Sequence, residues 1–164
     1  MGTFQVETII DAPIAAVWDR LAGDIGSIAE WNPGVQESYV LDGAKKTGLG
    51  AQRHCDLGNG NHLEEEVVKF EPETAITFRI TNSNMPFARA DIRFSLASVE
   101  TGHNNSGSST KVIVSPDYQL KYGCIGEFLD WSMVKRTYKK GMKNLLGGLK
   151  KDVEANQQLQ SFFQ

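Results

Sequence analysis

Few residues in this chain combine the types and spacing that chemistry needs, and an arginine with two glutamates stand out. In "GAQRHCDL" strand alternation puts Arg53, Cys55 and Leu57 on one face. In "EEEVVKF" it groups Glu65 with Val67, and in "VQESYV" it groups Val35, Glu37 and Tyr39. Joined in one wall, these faces bring a guanidinium and two carboxylates onto an otherwise apolar surface. A buried charge is costly unless paired, so Arg53 must stand against Glu65 or Glu37. Two roles then remain open. The charges can satisfy one another and do nothing more. Alternatively, Arg53 holds a carboxylate, carbonyl or enolate oxygen of a ligand, while Glu65 or Glu37 accepts a ligand hydroxyl or moves a proton. Desolvation would raise a glutamate toward a general base, and a neighbouring arginine opposes that shift.

Other familiar chemistry lacks its spacing. His54, His62 and His103 form no pair at helical metal spacing, and no serine or cysteine sits in a nucleophile elbow. No metal and no cofactor are expected. Cys55 and Cys124 are far apart and make no CxxC, which points to reduced thiols; Cys55 reads as a small buried hydrophobe able to line a pocket. "TGLGAQ" has half of a nucleotide fingerprint, but a strand follows where a helix is needed, so its glycines turn the chain. "NNS" at Asn104 is a formal glycosylation sequon, with meaning only for an exported chain.

The positioning elements must come from one domain. The 164 residues suit a single unit, 1–164, large enough for a core or an internal cavity. Lys+Arg 17 against Asp+Glu 20 gives a net charge of -3, without the basic footprint of a nucleic-acid binder. "MGTFQVETII" has no charged segment leading into a long apolar one, and no window suits a bilayer span, so a cytoplasmic protein without stable membrane insertion is expected.

Phe4, Val6, Thr8 and Ile10 alternate with Gln5, Glu7 and Ile9 as a strand over Thr3 to Ile10. "DAPIAAVWDRL" predicts a short helix with Asp11 as N-cap, and Ile25 to Glu30 a second, ended by Trp31-Asn32-Pro33. Six further strands follow: Val35 to Leu41, Ala51 to Leu57, Leu63 to Glu71, Ala75 to Thr81, Ala90 to Val99 and Lys111 to about Leu120. "GNGN", "EPET" and "NSNMP" supply hairpin turns, and "TGHNNSGSS" reads as an exposed loop. Phe128, Trp131, Val134, Tyr138, Met142, Leu145, Leu149 and Val153 then recur every three or four residues, the stripe of a helix about 45 Å long. Lys135, Arg136, Lys139, Lys140, Lys143, Lys150 and Lys151 form its solvated face. Hairpin-linked strands imply an antiparallel sheet that curls around this one helix, an α+β arrangement that tends to leave an elongated space inside.

The runs "IIDAPIAAVWDRLAGDIGSIAEWNP", "GAQRH", "EEEVVKFEPE", "NMPFARADIRFSL" and "GMKNLLGGLKKDVE" resemble the SRPBCC superfamily. This is the helix-grip fold shared by START lipid-transfer domains, birch-pollen-type allergens, plant abscisic-acid receptors and bacterial polyketide cyclase/dehydrase-like proteins, the last branch being the most similar. The resemblance spans Phe4 to about Glu154. It implies a curved seven-stranded antiparallel sheet around a long C-terminal helix, with two short helices after the first strand. It also implies which faces turn inward, giving Glu37, Arg53, Cys55, Leu57, Glu65, Phe78, Ile80, Ala90, Ile92 and Tyr118 from the sheet, with Trp131 and Met142 from the helix, as ligand-binding candidates. Arg53 matches the arginine after the G-x-x-R turn of related helix-grip proteins. Trp31 would anchor the cap over one cavity end, packing first and touching ligand second. "LGNGNH" occupies the position of the plant receptors' gate loop, but without their loop sequence it reads as an ordinary turn.

Fold resemblance implies chemistry weakly, and two functions follow. One is a non-catalytic binder or carrier of a small, mainly hydrophobic molecule, lipid-, polyketide- or hormone-like. The other is a cyclase/dehydrase-like enzyme that shuttles protons through Glu65, Glu37 or Tyr118. A small molecule is the expected partner, and monomer and homodimer both fit.

Overall fold

The computed structural model describes residues 2–100, 108–121 and 131–163, with Trp131 described by its backbone alone. The N-terminal strand divides into β1 (Gly2–Thr3) and β2 (Val6–Ile10), both paired antiparallel with β8 (Ser109–Leu120). Thr3 faces Asp117 and Val6 faces Val114, so both pieces keep one register across the break at Phe4 and Gln5. This division turns the seven expected strands into eight.

Helix α1 (Ile14–Trp18) buries Val17, passes into a π-helical turn over Asp19–Gly23, and is followed by a 3-10 turn over Ile25–Glu30. Pro13 takes the N-cap position without a side-chain cap, whereas Asp11 accepts a hydrogen bond from the Ser109 hydroxyl. The expected Asp11 cap is thus spent on tying α1 to β8. Strands β3 (Glu37–Val40), β4 (Gln52–Gly58), β5 (Asn61–Glu71), β6 (Ala75–Ser83) and β7 (Phe87–Val99) continue the sheet to β8 in the order β1-β8-β7-β6-β5-β4-β3. Register shifts at Glu64/Glu65 and Val67/Lys69 in the β5–β6 pair mark bulges, which bend a sheet and increase its twist. "GNGN" closes β4 on β5 through Asn59 (φ 55) and Gly60 (φ 77), the positive angles of a two-residue hairpin turn. This is the ordinary turn expected of it.

The closing helix, α2, runs Trp131–Phe162, and its stripe has two roles. From its middle onward Leu145, Leu146, Leu149 and Val153 are buried in a core with Val6, Ile10, Val17, Leu21 and Val112. Burying such side chains contributes about 1.5–3 kcal/mol each. In the N-terminal half Val134 and Tyr138 pack against a smaller cluster of Phe87, Ala90, Tyr118 and Leu120. Near its middle α2 passes so close to the Trp31–Pro33 segment that a Cβ on Gly148 would strike the Trp31 carbonyl oxygen and lie 2.8 Å from Pro33 Cδ. Trp31 itself is buried in the larger core. Among the described residues no helix is long and apolar enough to cross a membrane.

Candidate functional site

Between the two clusters lies a pocket of about 450 Å³. β4 and β5 contribute Arg53, Cys55, Leu57, Leu63 and Glu65, β6 adds Ile80, and β7 adds Phe87, Ile92 and Phe94. The β6–β7 turn brings Met85 and Pro86. Ile28, Asn32, Gly34 and Val35 form one end, and α2 covers it with Met133, Val134, Thr137, Tyr138, Gly141, Met142 and Leu145. Sheet pairing explains the floor: Arg53 lies opposite Glu65, which lies opposite Ile80, and directly paired residues share a face.

The polar centre is the ion pair between Arg53 and Glu65. Nε of Arg53 donates to Oε2 of Glu65 at 2.7 Å, and Nη2 approaches the same oxygen at 2.6 Å. Nη1 donates to the Ile25 carbonyl at 3.0 Å, and the guanidinium carbon stands 4.3 Å from the centre of the Phe78 ring. Both side chains are nearly sealed from solvent, at 4% and 6% exposure. The pair is therefore a buried and mutually neutralised charge, the case in which partners must be well bonded. Cys55 stands beside it, and burial pushes its thiol up to about 12, which keeps it protonated at neutral pH.

Of the residues expected at the site, Arg53, Cys55, Leu57, Glu65, Ile80, Ile92 and Met142 line the pocket. Glu37 does not. Tyr39 and Glu37 are exposed, while Ser38 and Val40 lie opposite Cys55 and Arg53 on the inner face. The alternation read from Val35 fails because Val35 precedes the strand: Gln36 donates its N–H to the carbonyl of Asp56, the residue opposite Glu37, and Gln36 and Glu37 are both exposed, so the period of two breaks there. Phe78 is fully buried beneath Arg53 and is not part of the lining. Ala90 and Tyr118 sit in the smaller core cluster, where the Tyr118 ring meets that of Tyr138 at 5.0 Å. Burial also raises the Tyr118 phenol above its ordinary value. The Trp131 side chain lies outside the described residues, as do His103, Asn104, Cys124 and Phe128.

Sequence reasoning missed Tyr138 as a site residue. Its position in the helical stripe, one turn before Met142, was the available signal. Phe4 at 5.5 Å, Phe87 at 5.3 Å and Tyr118 at 5.0 Å surround its ring. Its hydroxyl is buried and takes no hydrogen bond among the described residues. Burial, reinforced by the charge of Glu65, pushes its phenol well above the ordinary value. His54, as expected from Arg53 pointing in, is on the outer face, stacked between Tyr39 at 5.0 Å and His62 at 5.8 Å.

Known structures share this architecture at low sequence identity. The Zhui aromatase/cyclase from Streptomyces sp. R1128 superposes with a TM-score of 0.74 at 14% identity, covering 93% of both chains. A START superfamily protein from Mycobacterium smegmatis gives 0.71 at 18% identity over 93% of this chain and 97% of that one. The protein XoxI from Bacillus cereus gives 0.70 at 18% identity over 93% and 96%. No curated protein matches the chain in sequence. Residues 1–154 match the family described as polyketide cyclase / dehydrase and lipid transport, so the curved sheet, the gripped helix and the pocket between them are those of a chain that belongs to this family.

Proposed function

We propose that this protein binds and carries a small, mainly hydrophobic molecule in the space between its sheet and α2. One observation carries the reading: a pocket of about 450 Å³ whose lining is apolar apart from the Arg53–Glu65 pair, Asn32, Thr137 and Tyr138. That is within the size range of small-molecule sites, and a few convergent polar groups in an apolar shell are their usual form. A cyclase/dehydrase-like activity is the second reading. It is favoured by a carboxylate and a phenol without a hydrogen bond among the described residues on the same pocket, which together offer a proton acceptor and donor.

Native mass spectrometry of the protein as purified, with titration of an apolar fluorophore, tests the binding reading. A captured small molecule or saturable one-to-one fluorophore binding is expected, and Met142→Trp, which fills the pocket from α2, should abolish it. Absence of a captured molecule together with absence of saturable binding would overturn the reading.

A further inference from the structure

The polar pole of the pocket distinguishes between ligand chemistries, and the distinction rests on the binding role proposed above. Arg53 is the obvious anchor for an acid, but its charge is already matched by Glu65 and all three of its nitrogens already hold a partner. Nε and Nη2 are spent on one oxygen of Glu65, Nη1 is on the Ile25 carbonyl, and Phe78 lies under the guanidinium. The pole therefore carries no net charge. The contacts at 2.7 and 2.6 Å both converge on Oε2, and among the described residues no hydrogen bond from Arg53 reaches Oε1 of Glu65, a residue that lines the pocket. Across the pocket, Tyr138 presents a buried hydroxyl with no partner among those residues, on a ring held by Phe4, Phe87 and Tyr118. A buried carboxylate oxygen needs a donor, and a buried phenol can give its proton or accept one.

We infer that the pocket selects a neutral, hydroxyl-bearing apolar molecule, an alcohol or phenol, whose hydroxyl donates to Oε1 of Glu65 and accepts from Tyr138. Glu65 and Tyr138 line the same pocket, so a single ligand hydroxyl is the group proposed to serve both. A carboxylate would meet the lone pairs of Glu65 at a pole where the arginine charge is already neutralised, so acids are disfavoured. An unsubstituted hydrocarbon fits the apolar wall but leaves both polar groups unmet, and that omission is what a hydrogen-bonding site rejects most strongly.

Calorimetric titration at pH 7 with four probes of one ring system tests this: naphthalene, 2-methoxynaphthalene, 2-naphthol and 2-naphthoate. 2-Naphthol should bind roughly tenfold to a hundredfold tighter than naphthalene, as expected for a hydrogen bond to a charged acceptor. 2-Methoxynaphthalene can accept from Tyr138 but cannot donate to Glu65, and should fall between them; 2-naphthoate should be weakest. Tyr138→Phe, which removes the hydroxyl and leaves the ring packing, should weaken 2-naphthol roughly threefold to tenfold and leave naphthalene unchanged. Glu65→Gln should reverse the order of 2-naphthol and 2-naphthoate by freeing the arginine charge. Equal binding of naphthalene and 2-naphthol, or tightest binding of 2-naphthoate to the unmodified protein, would overturn the inference while the binding role stands. Failure of all four probes would overturn the inference, and the binding role with it if neither a captured molecule nor saturable fluorophore binding is found.

Discussion

Removing Arg53 should unmask the cost of a buried, unpaired carboxylate. The Arg53→Met variant keeps an unbranched apolar chain but deletes the contacts at 2.7 and 2.6 Å to Glu65, the 3.0 Å bond to Ile25 and the guanidinium over Phe78. Glu65, only 6% exposed, is then left without its cation. Breaking a buried pair from one side costs about 3–5 kcal/mol. For a chain of this length about 1 kcal/mol corresponds to roughly 2–4 °C, so the melting temperature should fall by about 6–20 °C. Glu65→Leu should cost a similar amount by stranding the guanidinium. The double variant removes both charges and leaves mainly the Ile25 carbonyl unpaired, a loss of about 1–3 kcal/mol instead of the sum of the singles. Urea unfolding, with unchanged slope, measures all four corners of this cycle. Additive singles, or an Arg53→Met cost below about 1 kcal/mol, would refute the claim that the pair is buried and mutually dependent.

Two further predictions come from other parts of the fold. Gly147 and Gly148 occupy consecutive positions of α2, and a Cβ meets nothing within 4 Å at the first but the Trp31 carbonyl and Pro33 at the second. Gly147→Ala should therefore stabilise the protein by up to about 1 kcal/mol through helix propensity. Gly148→Ala should destabilise it by about 1–3 kcal/mol because backbone, unlike a side chain, cannot rotate away; denaturant midpoints that coincide would contradict the close approach. On the outer face, hydrogen bonding to Arg79 and then Arg89 outweighs partial burial and lowers the Asp91 carboxyl from 3.8 to about 2. A depressed folded value stabilises above the unfolded one, so this contribution is present above about pH 4 and is lost as pH falls through 2. Asp91→Asn should flatten that part of the acid limb in a melting-temperature profile, and an unchanged limb would count against the ion pair.

The fold was largely legible because its signals are local. A period of two from Gln52 to Gly58 and along β7 and β8, hairpin turns such as Asn59-Gly60, and a 3.6-residue stripe along α2 each depend on a few neighbouring residues. Their order, with one helix against many hairpin-linked strands, leaves an antiparallel sheet wrapped on that helix as the way to bury the stripe. The same local rule placed Arg53, Cys55 and Glu65 on one face, and the cost of buried charge required their pairing.

What the sequence could not decide depends on register and distance. Glu37 turned outward because pairing of Ser38 with Cys55 and of Val40 with Arg53 sets the parity of β3, overriding an alternation begun at Val35 outside the strand. Tyr118 and Tyr138 are both apolar-facing tyrosines in sequence, yet one is packed behind the other, so only Tyr138 reaches the pocket. The stripe of α2 is uniform in pattern, but Leu146, Leu149 and Val153 touch a core where Val134 and Tyr138 cover a space. The sequence by itself determined the elements, their order and the need to pair Arg53 with an acid, because propensity and desolvation act at each residue. Only the tertiary structure decided which acid, which tyrosine and which half of the helix face the pocket, because those follow from contacts between segments far apart in the chain.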